Sequence, residues 1–252
     1  MSQPAFLYCS YLPSAVVTAP GWSAASSVAD VLLATEDTFL RPADQAGDKA
    51  ITIDFGEDRT CDCLGIVGNA LDGCLVDVEA SADGFVSDIV PLASGVTLEA
   101  TANAAAVSFA AAVKPSIRLT FKSGFYPSNL RVAWLCASKL ALLPYMDDGS
   151  WNPEDLDVEG EFLISQRGLF LGSEVERAMI SLNLAFGQVS DFEFTLFEAW
   201  KNACVATMSP FFFVPDVDEP KVFFGWPPKK FVAPIKHGMY DVGTITMTTR
   251  GA

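Results

Sequence analysis

Ile51, Ile53 and Phe55 alternate with Thr52 and Asp54, and a chain that repeats this period of two many times has few folds open to it. Successive side chains on a strand point to opposite faces, so the pattern marks a strand with one face buried. The alternation returns through Cys74-Leu75-Val76-Asp77-Val78-Glu79 and stops at the Ala82-Asp83-Gly84 turn. It returns again through Ile117 to Lys122, ended by Ser123-Gly124, and from Leu130 through Val132 and Trp134 to Cys136. Only Ser26 to Leu33 suggests a helical turn. Short strands between regular turn signals predict an antiparallel sandwich or jelly roll.

The texture changes over Leu143 to Glu161, where Pro144, Asp147-Asp148-Gly149 and Asn152-Pro153 interrupt any regular element. This stretch holds seven acidic residues and no basic one, and it places a boundary near residue 145. Residues 1–144 are then the jelly roll and residues 145–252 a second domain. In the second part Ser190 to Ala203 predicts a helix, capped by Ser190 or Asp191, with Asp191 and Glu193 at the positive end of its dipole. Phe194, Phe197, Ala199 and Trp200 supply its apolar face. Strands are expected over Arg177 to Phe186, Phe211 to Val214, Lys221 to Trp226 and Val242 to Thr249, the last rich in β-branched residues. The fold class is mainly β, a jelly roll followed by an α+β domain with one main helix against a sheet.

Composition narrows the partners. With 16 basic against 31 acidic residues the net charge is −15, which a phosphate backbone would repel, so no nucleic-acid partner is expected. Met1 to Tyr11 has no basic start and no sustained apolar run, unlike a secretory signal. The richest apolar stretch, Leu130 to Leu143, is broken by Arg131 and Lys139, short of the ~18 apolar residues a spanning helix needs. No membrane insertion is expected, and synthesis in the cytoplasm is. Cys9, Cys61, Cys63, Cys74, Cys136 and Cys204 are then expected as reduced, buried thiols. Cys61-Asp62-Cys63 with Cys74 lacks the second Cys pair or His that zinc takes.

Catalytic groups are sparse. His237 is the one histidine, among Lys229, Lys230 and Lys236, which suits a loop cation better than a base. Neither a Gly-x-Ser-x-Gly elbow nor a phosphate-binding glycine motif occurs. Paired carboxylates exist at Asp147 and Asp148 and at Asp155, Asp157, Glu159 and Glu161. The last four stand at every second residue, so a solvated or partner-facing sheet surface is expected there, ahead of a glycosidase pair or a calcium site. No enzyme and no cofactor are expected.

Aromatics carry the stronger signal. Phe211-Phe212-Phe213 cannot share one buried face of a strand, so a second packed layer or a subunit interface must take the remainder. Phe211, Phe213, Phe223 and Trp226, with Lys229 and Lys230 on the following Pro-Pro loop, are the interface candidates. They would bind a neighbouring copy head to tail, its acidic Leu143–Glu161 stretch meeting the lysines, in a ring. Trp22, Trp151 and Tyr126 are the aromatics available to stack on a sugar ring.

Two resemblances follow from the order of these segments. Over residues 20–137, Trp22, then Ile53-Asp54-Phe55-Gly56, Leu64 to Gly68, Val76 to Ser81 with its Asp-Gly turn, and Ser116 to Leu119 resemble the discoidin, or galactose-binding-like, jelly roll. That family commonly binds carbohydrate or lipid surfaces through loops at one end. Over about 160–252, the strand, helix and aromatic strands up to Thr248-Thr249-Arg250-Gly251 resemble the sheet-plus-helix domain of siphophage distal-tail and tail-tip proteins. This resemblance implies a virion component of the tail tip or baseplate that forms a ring and contacts other tail proteins. The jelly roll implies the alternative, an adhesin module recognising a surface glycan.

Overall fold

The computed structural model describes residues 3–8, 15–24, 27–32, 38–101, 103–146, 156–164, 170–219 and 221–250, with backbone alone at 30, 156–164, 170–180 and 250. In chain order the strands are β1 Ala5–Leu7, β2 Val16–Thr18, β3 Trp22–Ala24, β4 Leu40–Pro42, β5 Lys49–Asn69, β6 Leu75–Ser81, β7 Val90–Thr97 and β8 Ala104–Phe121. They continue as β9 Arg131–Ser138, β10 Ala141–Leu142, β11 Leu156–Ile164 and β12 Phe170–Val189. After helix α1, Asp191–Trp200, come β13 Phe211–Val214, β14 Phe223–Trp226, β15 Ile235–Lys236 and β16 Met239–Arg250. A 3-10 turn, Val28–Leu32, matches the one helical turn expected in the first part. The protein is mainly β, its sheets antiparallel, with one α-helix among the described residues, as the periodicity requires.

The first sheet runs β3-β4-β9-β5-β8-β6-β7, with β2 added on β5. Its long ribbon, β5 against β8, shifts register after Asp54 and again between Cys61 and Cys63. Such irregularities bend strands. Residues 56–60 at the bend are largely solvated, whereas 61–68 are almost all buried. The first half of β5 pairs β2 and the second half pairs β9, so one ribbon serves both layers of the sandwich. Ile51, Ile53, Val76, Val78, Leu119 and Phe121 fill the space between them.

The second sheet runs β10-β1-β13-β14-β16-β12-β11, with β15 on β16. It takes β1 and β10 from the first 144 residues. Phe6 explains why. Its ring is fully buried within 5.0 Å of Trp200 and 4.9 Å of Phe211, and it faces Phe197 edge-on at 6.5 Å.

All three consecutive aromatics are buried inside this chain, on two different faces. Phe211 and Phe213 join Phe6, Phe197 and Trp200 beneath α1, while Phe212 and Phe224 join the jelly-roll core. The subunit interface proposed for Phe211, Phe213 and Phe223 is thus corrected: the second packed layer exists within the chain and leaves those rings at most 2% exposed. Phe212 stacks on Trp134 at 5.3 Å and 4°. A Cβ on Gly65 would lie 2.5 Å from the Phe212 ring, so the jelly roll meets the second sheet where β5 has no side chain.

Helix α1 starts at Ser190, whose hydroxyl accepts from the Glu193 N–H while the Glu193 carboxylate accepts from the Ser190 N–H at 2.8 Å. Such a reciprocal cap satisfies two otherwise orphaned donors. Ser190→Ala is expected to lower stability by about 1 kcal/mol, read as a shift of the urea midpoint without change of slope. The Ser190 hydroxyl, which donates to the Glu193 carboxylate at 2.7 Å, and then the Ser190 N–H hold that carboxyl below its ordinary range. Its stabilisation is therefore present above the unfolded carboxylate pKa near 4 and is lost as pH falls through the lower folded value.

Cys136 departs from the expectation of six reduced thiols, since it is disulfide-bonded. Cys61, Cys63, Cys74 and Cys204 form no disulfide and are buried. Burial pushes the thiols of Cys63 and Cys204 up to about 12 and that of Cys74 to about 11, which keeps them protonated and unreactive.

Candidate functional site

β5 enters at Lys49 and, after its bend, returns to finish at Asn69. The loops 43–48, 70–74, 98–103 and 122–130 therefore gather at one end of the sandwich. They are fastened to one another by the side chains their sequences place there. Asp72 accepts from the Ala100 N–H at 3.2 Å, and Leu98 donates to the Cys74 carbonyl at 2.8 Å. Asp48 accepts from the Ser123 N–H at 2.8 Å and from Lys122 at 2.7 Å, while Lys122 also reaches Asp77 at 3.3 Å. The Lys122 ammonium, then the Ser123 amide, hold the Asp48 carboxyl below its ordinary range, and Asp48 and Asp77 raise Lys122. The part of the fastening that runs through Asp48 is accordingly present above the unfolded carboxylate pKa near 4 and is lost as pH falls through its lower folded value.

Within this end lies a recess of about 190 Å³, lined by Phe39, Val67, Gly68, Asn69, Asn103, Arg131 and Ala133. Asn69 and Arg131 are cross-strand partners in the β5–β9 register. The Arg131 guanidinium lies over the Phe39 ring, 4.5 Å from its centroid. Asn103 holds a left-handed backbone, φ 66°, and its carbonyl accepts from Gly68 N–H at 2.9 Å. Asn tolerates that conformation better than most residues, so the strain is small and the side chain is set at the rim. The amides of Asn69 and Asn103 make no side-chain hydrogen bond among the described residues. The recess thus combines a planar cation with several N–H donors, two amides that donate and accept, and a ring face. That set matches a small polyhydroxylated ligand.

Sequence reasoning chose other aromatics. Trp22 is 8% exposed and packs edge-on against Phe121 at 5.5 Å; Tyr126 is 6% exposed and donates its hydroxyl to the Gly47 carbonyl at 2.8 Å. Both belong to the frame and offer no face to a sugar. Tyr126 does hold the 122–130 loop from which its neighbour Phe125 projects, 57% exposed. Trp226 is half-buried, its ring 5.4 Å from Phe224, and Lys229 and Lys230 are exposed. Trp151, Asp147, Asp148 and Asp155 lie outside the described residues, as do the side chains of Asp157, Glu159 and Glu161. His237 is exposed in a left-handed turn. Among the described residues no group of three His, Cys, Asp or Glu is placed to hold a metal, and no helix is long and apolar enough to cross a membrane.

No protein family and no curated protein matches the chain. Solved structures do resemble it over about half its length. A chitosan-binding module from a chitosanase/glucanase of Paenibacillus sp. IK-5 is 12% identical, with a TM-score of 0.45 over 52% of this chain and 98% of that one. CpGH89CBM32-6 of Clostridium perfringens is 16% identical, with a TM-score of 0.41 over 50% and 94%. The CBM32 of AlyQ, in complex with 4,5-unsaturated mannuronic acid, is 17% identical, with a TM-score of 0.40 over 48% and 92%. At these identities and scores, what those modules bind remains a property of those modules.

Proposed function

We propose that this chain is a non-catalytic binding protein that takes one sugar residue of a glycan in the Phe39–Arg131 recess. The observation that carries the reading is the Phe39–Arg131 pair beside two amides that make no side-chain hydrogen bond among the described residues, Asn69 at the end of β5 and Asn103 in the fastened 98–103 loop. Preorganised polar groups of this kind lose little entropy on binding. Exposed Phe125 on the neighbouring loop offers a second ring for an adjoining sugar. The experiment is a glycan array with the whole chain, followed by calorimetry on the best ligand with Arg131→Ala. Hydrogen bonds to a charged group contribute about 1.5–3 kcal/mol, so binding should weaken about 10- to 100-fold with the melting temperature little changed. No array signal, or an unchanged affinity in Arg131→Ala, would overturn the assignment.

A second reading, a subunit of a larger assembly such as the phage tail tip suggested by the order of the C-terminal elements, is favoured by one feature. An open groove of about 750 Å³ lies between edge strand β10 and α1, where Leu140, Leu142, Pro144 and Leu196 meet Phe192, itself 80% exposed. Phe192→Glu should then lower the solution mass of an assembled protein. An assembly indifferent to that change would use another surface.

A further inference from the structure

Residues 221–240 hold four lysines and the histidine and not one Asp or Glu, in a chain whose acidic residues outnumber its basic ones by 31 to 16. The structure gathers most of them on one arm. After β14 the chain runs through Pro227, Pro228 and Pro234 into β15, which pairs with the start of β16 as Ile235↔Tyr240 and Lys236↔Met239. Residues 234–239 are all exposed, and the apolar Val232 and Ile235 are 58% and 65% exposed. Lys236 is paired with Asp241. Lys229 and Lys230 are exposed and make no ion pair among the described residues. Pro227 is buried and Phe231 packs edge-on against Trp200 at 5.5 Å, so the arm's base is held on its own chain and three prolines restrict the rest, which lowers the entropy lost on docking.

The complementary feature is the far edge of the same sheet. Among the described residues β11 is the terminal strand there, paired to β12. It carries Asp157, Glu159 and Glu161 at alternate positions, within the stretch 143–161 that has seven acidic residues and no basic one. Among the described residues no strand pairs its outer backbone edge, and such an edge accepts an added chain. We propose that the arm of residues 227–239 docks on strand β11 of a second copy of this chain, Lys229 and Lys230 against its acidic positions. Arm and edge are different surfaces of one chain, so the contact is head to tail and can repeat. The net charge of −15 disfavours an anionic membrane or nucleic acid as the occupant, because the whole molecule would be repelled while only the arm was attracted.

This inference goes beyond the glycan reading and is read by a different assay. The masses of the wild-type chain, K229E/K230E and D157K/E159K would be measured by light scattering over a range of concentrations, singly and mixed. Wild type should associate with concentration and fall apart in about 1 M salt, where the Debye length is ~3 Å. Each reversed variant should associate at least about 100-fold more weakly, since like charges brought together cost several kcal/mol. Mixing the two reversed variants should restore association between them. Melting curves and glycan binding of K229E/K230E should match wild type. A strict monomer at every concentration overturns the proposal, as does association unaffected by either variant. So does a chain that stays monomeric but binds phosphatidylglycerol vesicles through Lys229 and Lys230.

Discussion

Phe212→Ala should lower the unfolding free energy by about 3–5 kcal/mol, the cost of truncating a fully buried Phe in a site that cannot collapse. The surroundings are why it cannot collapse. Phe212 is fully buried, stacked on Trp134 and 5.4 Å from Phe224. Trp134 is itself held by its indole N–H, which donates to the Leu32 carbonyl at 3.3 Å. Below the ring lies Gly65, which has no side chain to move into the space. Trp134→Ala should cost a similar amount, and the double variant less than the sum, because both would open one shared cavity. Chemical denaturation followed by tryptophan fluorescence and circular dichroism measures this. A loss under about 1 kcal/mol, or strict additivity, would mean that the jelly roll and the second sheet do not share a core.

The sequence displayed its strands because burial on one face imposes a period of two, and β5, β6, β8 and β9 all lie where that period appears. Helix α1 was equally plain, since Ser190 and Glu193 form its cap and Phe197 and Trp200 are its buried residues. What the pattern could not show is which layer covers the second face. Phe211 to Phe213 demand burial on both sides of β13, yet periodicity alone is silent on whether the cover is another subunit or the same chain. The cover is Gly65 and Trp134 on one side and α1 on the other. Strand β1 was missed for a related reason: three residues carry no measurable period, and only Phe6 among the rings of Trp200 and Phe211 fixes their place. Trp22 and Tyr126 misled because an aromatic in a loop region can support the loop as well as face solvent. Phe39, Asn69, Asn103 and Arg131 carried no signal, being brought together by cross-strand register and a left-handed turn.

Gly68→Ala should damage fold and recess together. A Cβ at that position would sit 2.0 Å from the Arg131 carbonyl oxygen and 3.1 Å from the Val132 Cα. These are backbone atoms of β9, so no rotamer change relieves the clash and the two strands must separate. Overpacking that forces backbone shifts costs about 1–3 kcal/mol, occasionally more, and here the upper end is expected. The shift falls where β5 already changes register, between Val67 and Gly68. It also strains the hydrogen bond from Gly68 N–H to the Asn103 carbonyl. Arg131, Asn69 and Asn103 would lose their mutual placement, and any ligand that uses all three should bind at least about tenfold more weakly, a change of ~1.4 kcal/mol. Asn69→Ala is the control, because it removes one amide while leaving the strands in register. It should weaken binding with little change in melting temperature, whereas Gly68→Ala should lower both. Were Gly68→Ala to keep wild-type stability and wild-type binding, the close approach of β5 and β9 would be wrong, and with it the geometry assigned to the recess.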